Sequence, residues 1–386
     1  MDRNLYQKLL VSLKAGERRI CADGAEIVVR SCYDREEGCL DPRTEAAATL
    51  TREDFETRAG EIDPELLRNQ DKLLGMDNPE GHTLLEQLRY QFGWRTLDRS
   101  SGVRTRFVSM DQDGYRGVRW IYTPEDGKAE KPCLIFIHGG GFFGGDTLTV
   151  ENQCKRFAEL ADAVVISVDY PLSPEVKYPV AFHMCCETVR WVWENAGMLG
   201  VDRTKIGISG DSAGGTMAVT VTLWDRQEGI GCISYAGLIY PSVVWDPDMS
   251  NPYYVWKRDM FDNPGGNRII EEQIETTGAM KREVCGWYLE NNEDIHTPYI
   301  NPVEGDFKGF PKTLIMTAEY DYLRPECELF TKILQDAGVS VRHIRYGGIV
   351  HGTFDRLGYA PQVEDMLMEM AADFACLGRR ERNERD

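Results

Sequence analysis

Two glycine-containing motifs carry the residue types that acyl transfer requires. His138-Gly139-Gly140-Gly141-Phe142 and Gly210-Asp211-Ser212-Ala213-Gly214-Gly215 each follow a short apolar run that is typical of a buried parallel strand. A serine on a tight turn between a strand and a helix is held above the sheet, and the helix N-terminus favours developing negative charge. The second motif therefore predicts that Ser212 is the nucleophile of an acyl-transfer reaction.

The first motif predicts the backbone groups that stabilise an oxyanion. We expect the N–H groups of Gly140, Gly141 and Ala213 to donate hydrogen bonds to the charged oxygen, because glycines allow a substrate carbonyl to come close. The alternative for a glycine run after a strand is a phosphate-binding loop. The Gly-Lys-Ser/Thr continuation that such a loop needs does not follow. Nucleotide binding is therefore not indicated.

A serine nucleophile needs a base, and the position of His351 favours it among the six histidines of the chain. His351 lies in the loop 347–352, which follows the last predicted strand. His343 lies inside that strand and is interpreted as a structural residue. The other histidines fall in the glycine loop, in a predicted helix or in the predicted cap.

An acidic residue that orients the base is expected at the end of the preceding strand, residues 313–318. Glu319 and Asp321 are the candidates there. Asp321 begins the loop before the next helix, where its carboxylate can reach across to His351, whereas Glu319 still follows the alternation of the strand. Asp321 is therefore the predicted acid, and Ser-Asp-His is the order of the triad along the chain.

Strand and helix signals alternate from about residue 104 onwards, after an antiparallel hairpin at 106–122. Such alternation predicts an α/β fold, with a mostly parallel central sheet and helices on both faces. Strands are expected near 133–138, 163–168, 205–210, 232–240, 312–318 and 339–346. Helices are expected near 151–161, 181–195, 213–227, 325–337 and 361–376.

Two regions depart from this regular pattern and predict a helical cap. Residues 1–100 look mostly helical, although the stretch 20–30 is ambiguous between strand and helix. Residues 245–302 are rich in aromatic residues, proline and asparagine, and form too long a segment for an ordinary loop. We therefore expect a catalytic domain at 101–386, with 245–302 inserted over the carboxyl ends of the strands. The alternative is a peripheral excursion packed on the core.

Composition narrows the classes of partner. The 386-residue chain is 42% hydrophobic and 28% charged, as globular proteins are, and its net charge of −19 repels nucleic acid and anionic membranes.

The chain has no apolar run long enough to span a bilayer and no secretory signal, so a cytoplasmic location is expected. Eleven cysteines without Cys-x-x-Cys spacing indicate reduced thiols rather than disulfides or a zinc site. We expect no metal and no cofactor.

The motifs resemble those of the hormone-sensitive-lipase-like branch of the α/β-hydrolase esterases, and the resemblance covers about residues 104–376. It rests on both glycine motifs, on Asp321, on His351-Gly352, and on Asp169-Tyr170-Pro171-Leu172-Ser173-Pro174-Glu175. The last segment is similar to the family's Asp-Tyr-Arg-Leu-Ala-Pro-Glu, from which Pro171 and Ser173 depart. The resemblance implies an α/β-hydrolase fold in which the N-terminal helices and an insertion after the sixth strand form a cap over the acyl pocket.

These residues together predict a serine carboxylic-ester hydrolase that acts on small esters through an acyl-enzyme intermediate. Phe142, Phe143 and the aromatic insertion suggest a confined apolar pocket, which favours short acyl chains. An amidase or another acyl-transfer enzyme with the same triad is the main alternative. A non-catalytic receptor on the same fold, as in the gibberellin receptors, is disfavoured because such proteins lose the histidine that is present here. The sequence specifies no oligomeric state and is compatible with a homo-oligomer.

Overall fold

Ten strands of the described chain form one sheet that runs through the whole molecule. The computed structural model describes residues 2–48, 83–90, 96–128, 130–245, 250–290 and 295–377. The strands are β1 Arg18–Ala22, β2 Ala25–Arg30, β3 Val103–Gln112, β4 Tyr115–Pro124, β5 Lys131–Ile137, β6 Val164–Asp169, β7 Val201–Asp211, β8 Ile233–Ile239, β9 Lys312–Tyr320 and β10 Val341–Val350. Their order across the sheet is β1-β2-β10-β9-β8-β7-β5-β6-β4-β3.

Helices connect most of these strands. They are α1 Arg3–Ala15, α2 Pro42–Ala47, α3 Leu84–Tyr90, α4 Thr147–Ala161, α5 Val180–Glu194, α6 Ala196–Leu199, α7 Ala213–Gln227, α8 Arg268–Tyr288, α9 Arg324–Asp336 and α10 Pro361–Phe374. Strands β2 and β5–β10 pair in parallel, whereas β1/β2, β3/β4 and β4/β6 are antiparallel. The predicted α/β fold with a mostly parallel sheet is confirmed.

The centre of the sheet is buried on both faces, as strand β5 shows. Cys133, Ile135 and Ile137 contribute to one hydrophobic core, which also contains residues of α5, α7 and α9. Leu134 and Phe136 point to the opposite core, shared with α4 and α10. Successive strand residues face opposite sides, so a strand covered by helices on both sides is apolar at every position. This explains why β5 appears in the sequence as an uninterrupted apolar run.

The stretch 20–30, which the sequence leaves ambiguous between strand and helix, lies in two strands. These strands are β1 and β2, and β2 pairs in parallel with β10 at Ile344 and Val28. The side chain of Arg30 on β2 is buried and bonds to Asp365 of α10 at 2.7 Å, which fastens this edge to the helical layer. Residues 18–22 and 25–30 therefore belong to the sheet. Much of the predicted cap, residues 49–82 and 91–95, lies outside the described residues, and the domain division stays a prediction.

The ends of four parallel strands meet at one edge of the sheet. The glycine loop follows β5, Ser212 follows β7, Asp321 follows β9 and His351 follows β10. Because parallel strands point in the same direction, residues that follow them are brought to the same edge. Among the described residues, no helix combines the length and the apolar character that crossing a membrane requires.

Candidate active site

Ser212 occupies a strained turn between β7 and α7. Its backbone has φ 52° and ψ −121°, a conformation that a residue with a side chain rarely adopts. Such strain typically costs about 1–3 kcal/mol and persists only where the surroundings impose it. Here the N–H group of Ser212 donates a hydrogen bond to the carbonyl of Ile239 on β8 at 2.9 Å. The turn therefore projects the Ser212 side chain above the edge of the sheet.

Glycines on both sides of Ser212 let the strand and the helix approach each other. A Cβ atom on Gly210 would lie 2.4 Å from the Gly214 carbonyl, and a Cβ atom on Gly214 would lie 2.0 Å from the carbonyl oxygen of Ile137. Real Cβ atoms do not approach backbone atoms this closely. The turn consequently requires glycine at both positions.

We expect Gly214→Ala to lower the free energy of unfolding by about 1–3 kcal/mol or more, because the added methyl group collides with backbone that cannot move aside. Gly286→Ala on α8 is the matched control, since no atom of the described residues outside its own helix turn lies within 4 Å of the position of its Cβ atom. That control should be neutral or stabilising by up to about 1 kcal/mol. Urea unfolding of both variants measures the difference. Equal stability of the two variants would contradict the proposed crowding at Gly214.

A continuous chain of hydrogen bonds joins Ser212, His351 and Asp321. Ser212 Oγ lies 2.9 Å from His351 Nε2, and His351 Nδ1 lies 2.7 Å from Asp321 Oδ2. An ionised carboxylate only accepts hydrogen bonds, so Nδ1 carries the proton and Nε2 accepts from the serine hydroxyl. Asp321 is fully buried, and its second oxygen accepts the N–H group of Leu323 at 2.8 Å. The arrangement fixes the imidazole in the tautomer that can remove a proton from Ser212.

The electrostatic surroundings favour a charged His351. Burial is the largest single influence and lowers the pKa of His351, but the charge of Asp321, its hydrogen bond and the charges of Asp211 and Asp355 together outweigh burial. The pKa of His351 is therefore raised above its ordinary value. A raised pKa makes the imidazole a stronger base and stabilises the imidazolium that forms during proton transfer.

The second candidate acid, Glu319, has other partners. Its carboxylate pairs with Arg35 and accepts the N–H group of Gly348 at 2.7 Å. Glu319 thus supports the loop that carries His351, while the carboxylate in contact with the imidazole is that of Asp321.

The glycine loop borders the same space. The carbonyl of Gly140 accepts hydrogen bonds from the N–H groups of Phe143 and Gly144, at 3.1 and 2.8 Å, which closes a tight turn. Gly140 and Gly141 have φ of 111° and 59°, values that favour glycine. Gly140, Gly141 and Ala213 line one cavity together with Ser212 and His351. The structure thus brings the predicted oxyanion groups, the predicted nucleophile and the predicted base to the same cavity.

This cavity has a volume of about 690 Å³ and a mixed lining. Its apolar wall comes from α3, the glycine loop, α8 and the segments after β8 and β9. These residues are Leu88, Phe143, Trp245, Met280, Val284 and Leu323. Charged residues also reach it, and one of them, Lys281, is paired with Glu326 at 2.6 Å.

The two phenylalanines predicted as pocket residues have different positions. Phe143 lines the cavity, and its ring meets Trp287 edge-on with 4.9 Å between the centroids. Phe142 has φ 63°, is 1% exposed, and stacks on Tyr288 with 3.9 Å between the centroids. The positive φ turns its ring into the packing between the glycine loop and α8. The prediction of Phe142 as a substrate-binding residue is corrected to a packing contact.

Two carboxylates near His351, the buried Asp211 and the half-buried Asp355, were not singled out from the sequence. Asp211 precedes the nucleophile and accepts the N–H group of Gly139 at 2.9 Å, which ties the two glycine motifs together. Burial, together with the nearby charge of Asp355, raises the pKa of Asp211. Burial also raises the pKa of Asp355. Asp211 could have been found from its position inside the second glycine motif, whereas no sequence pattern points to Asp355.

One group of possible metal ligands lies together in the described chain, apart from this cavity. It consists of Cys32, Asp34 and Asp41. Arg43 pairs with both carboxylates, at 2.7 Å from Asp34 and 2.6 Å from Asp41. Burial raises the pKa of the Cys32 thiol, so the thiolate that binds metals is disfavoured. This group is an ion-pair cluster around an arginine.

Known proteins resemble this chain in both sequence and structure. A sequence model of the alpha/beta hydrolase fold family matches residues 134–355. Esterase LipI of Mycobacterium tuberculosis is 33% identical over 264 residues, which are 66% of this chain and 77% of the relative. An arylesterase of Saccharolobus solfataricus is 26% identical over 270 residues, which are 70% and 83% of the two chains.

The structure of an esterase from Pyrobaculum calidifontis superposes with a TM-score of 0.65 at 27% identity, covering 87% of this chain and 98% of the other. The residues matched by the family include both glycine motifs and His351. The fold, the order of the motifs and the relatives agree with one another. The chain therefore belongs to the α/β hydrolase fold family, within its hormone-sensitive-lipase-like branch of carboxylic-ester hydrolases.

Proposed function

We propose that this carboxylesterase-type serine hydrolase uses Ser212 as nucleophile, His351 as base and Asp321 as the acid that orients the base. The observation that carries the proposal is the hydrogen-bonded chain of 2.9 and 2.7 Å from Ser212 Oγ through the imidazole to Asp321. Serine is a weak nucleophile near neutral pH, and an adjacent base activates it. The raised pKa of His351 suits this task.

The reaction proceeds in two halves through an acyl-enzyme. Ser212 Oγ attacks the ester carbonyl while His351 Nε2 takes the hydroxyl proton, and the imidazolium then protonates the departing alcohol. A water molecule, deprotonated by the same histidine, attacks the acyl-serine. The imidazolium then returns the proton to Ser212 Oγ as the acyl C–O bond breaks and the carboxylic acid leaves. The N–H groups of Gly140, Gly141 and Ala213 hold the oxyanion in both halves, and loss of one such donor typically costs about 3 kcal/mol.

The substrates we infer are small esters with short acyl chains. Phe143 stands directly beside the oxyanion loop, since a Cβ atom on Gly141 would lie 2.5 Å from its ring. Trp245, Met280 and Val284 complete an apolar wall around the same space. These bulky side chains beside the proposed oxyanion hole favour short acyl chains.

We expect kcat/KM for p-nitrophenyl esters to be highest at acetate or butyrate and to fall about tenfold or more by decanoate, because a single misfitted methylene group already costs about 1–3 kcal/mol. The full series from acetate to decanoate measures this dependence. A maximum at decanoate would contradict short-acyl specificity and leave the triad unaffected. Faster turnover of 4-nitroacetanilide than of p-nitrophenyl acetate would favour the amidase alternative instead.

The division into a catalytic domain and a cap is part of the proposal. Helix α8, within the proposed insertion 245–302, contributes Gln273, Met280 and Val284 to the cavity. Leu88 of α3, within the proposed N-terminal cap 1–100, lines it from another side. A cap that lines the cavity determines which substrates fit. A cytoplasmic location is proposed as well, supported by the eleven cysteines, all of which lie in the described ranges and form no disulfide bond.

A further inference from the structure

Arg89 of helix α3 makes an unusually complete set of hydrogen bonds beside the glycine loop. Its Nε donates to the carbonyl of Phe143 at 2.6 Å, and its Nη2 donates to the carbonyl of Ser173 at 2.7 Å. Both Nη atoms also bind the carboxylate of Glu175, at 2.7 and 2.6 Å. A guanidinium is planar and rigid, so four such bonds fix its position on several sides.

These bonds join segments that are far apart in sequence. Arg89 lies 54 residues before Phe143 and 84 residues before Ser173. The segment 169–175 has proline at position 171, where the family pattern has arginine. In the structure, the guanidinium that contacts this segment comes from Arg89 on α3. The preceding residue, Leu88, lines the catalytic cavity. One short helix therefore contributes to the cavity wall and also holds the loop beside it.

The contact with Phe143 acts on the turn that carries the oxyanion donors. The N–H group of Phe143 closes this turn onto the carbonyl of Gly140 at 3.1 Å. On the outer side, the Phe142 carbonyl accepts the N–H group of Ser173 at 2.9 Å, and the Phe143 carbonyl accepts Arg89. The outer half of the turn is thus held by Arg89 and Ser173, while Gly140 and Gly141 face the cavity.

We propose that Arg89 is a positioning residue for the oxyanion hole. By holding the Phe143 carbonyl, it keeps the N–H groups of Gly140 and Gly141 aimed at the developing charge. The inference rests on the proposed function, because it assumes the role given there to these two N–H groups. Arg89 does not contact the reacting atoms and acts only through the loop.

Electrostatic stabilisation of the fold is a smaller part of what Arg89 does. Its side chain is 29% exposed and that of Glu175 is 59% exposed. Ion pairs exposed to this extent contribute about 0–1 kcal/mol to stability. Geometry matters more, since misplacing a catalytic group by about 1 Å can cost about 100-fold in rate. Loss of Arg89 should therefore be visible in kcat before it is visible in the melting temperature.

We expect Arg89→Ala to lower kcat for p-nitrophenyl acetate by about 10- to 100-fold, with KM changed by less than about threefold. Affinity for a trifluoromethyl ketone, whose adduct places an oxyanion in the same hole, should fall by a similar factor. The acid limb of the pH profile should not move, because Arg89 has no contact with His351. Arg89→Lys should retain part of the activity, since an ammonium group can donate to one carbonyl but cannot form all four hydrogen bonds of the guanidinium.

Arg258→Ala is the matched control. Arg258 also binds a carboxylate, that of Glu271, and a backbone carbonyl, that of Phe261 at 2.7 Å, but neither partner belongs to the glycine loop. Its kcat should stay within about twofold of wild type. Glu175→Gln weakens the two bonds between Arg89 and the residue at 175 while Arg89 itself remains. This variant should lose less activity than Arg89→Ala, and it tests the positioning role if the alanine variant does not fold.

Unchanged kcat in Arg89→Ala, or a rise in KM alone, would overturn the positioning role. So would a loss of activity that follows the unfolded fraction in circular dichroism. In each of these cases the wild type would still hydrolyse the ester and Ser212→Ala would still be inactive, so the proposed function would stand. A wild type that hydrolyses no ester would instead refute the proposed function itself.

Discussion

Ser212→Ala is expected to lower kcat for p-nitrophenyl acetate by about 10⁵- to 10⁶-fold, which is the scale of nucleophile removal in other serine hydrolases. The substitution removes the atom that forms the acyl-enzyme. Binding and the oxyanion donors remain, so hydrolysis about 10³–10⁴-fold above that in water should survive. The fold should survive as well, because the side-chain hydrogen bond that is lost is the one to His351.

A phosphonate ester provides a second measurement of the same point. In the wild type it should add one phosphonyl group to the peptide that contains Ser212, and in Ser212→Ala it should add none. Ser234→Ala is the matched control, because Ser234 Oγ donates to the Ile206 carbonyl at 3.0 Å and Ser234 does not line the cavity. That variant should be labelled and active like wild type. Undiminished turnover by Ser212→Ala would show that the nucleophile is another residue.

The core of the fold was accessible from the sequence because its signals are local. Strands buried on both faces appear as apolar runs, and β5, β6 and β8 lie where such runs occur. The stretch 18–30 was ambiguous because β1 lies at the edge of the sheet and is largely exposed. A strand in that position has no strong apolar pattern. The pairing of its neighbour β2 with β10 joins residues that are far apart in the chain.

The candidate catalytic residues could be predicted from the sequence for a different reason. Each follows a strand, and parallel strands bring their ends together whatever their separation in sequence. Phe142 and Phe143 show where this reasoning stops. They are adjacent in sequence, yet a positive φ of 63° directs Phe142 into the core while Phe143 lines the cavity. Backbone handedness at one residue leaves no trace in composition or periodicity.

Long-range charge contacts were equally inaccessible. The bonds from Arg89 to Phe143 and Glu175 cross 54 and 86 residues of chain, and no spacing rule links these positions. The same holds for the carboxylate of Asp355, which becomes relevant only because the fold buries it near Asp211 and His351. Motifs therefore indicated the reaction, whereas the contacts of Arg89 and the position of Asp355 become visible only in the packed structure.

Asp321→Asn is expected to lower kcat by about 10⁴-fold, the size of the effect when the same change is made in a serine protease triad. The amide of asparagine can donate to His351 Nδ1, which favours the tautomer whose Nε2 carries a proton. In that tautomer Nε2 no longer accepts the proton of Ser212. The histidine remains in place but is presented to the serine in the wrong form.

The pH dependence of kcat/KM distinguishes loss of the orienting carboxylate from a loss of activity through misfolding. His351 must be neutral to act as a base, so kcat/KM falls when the pH drops through its pKa, which lies above the ordinary value. In Asp321→Asn the largest influence that raises this pKa is gone and burial, which lowers it, remains. The acid limb of the profile should therefore move to lower pH, by an amount limited by Asp211 and Asp355, which still raise the pKa. Profiles of kcat/KM over about pH 5–9 measure this displacement.

Glu319→Gln is the control for this experiment, because Glu319 is the other carboxyl group at the end of β9. Its contacts are with Arg35 and with the N–H group of Gly348, which glutamine can still satisfy through its carbonyl oxygen. This variant should keep the acid limb of wild type and most of its activity. If instead Glu319→Gln moved the limb and Asp321→Asn did not, the orienting acid would be Glu319. Since Asp321 is fully buried and 2.7 Å from the imidazole, the opposite result is expected.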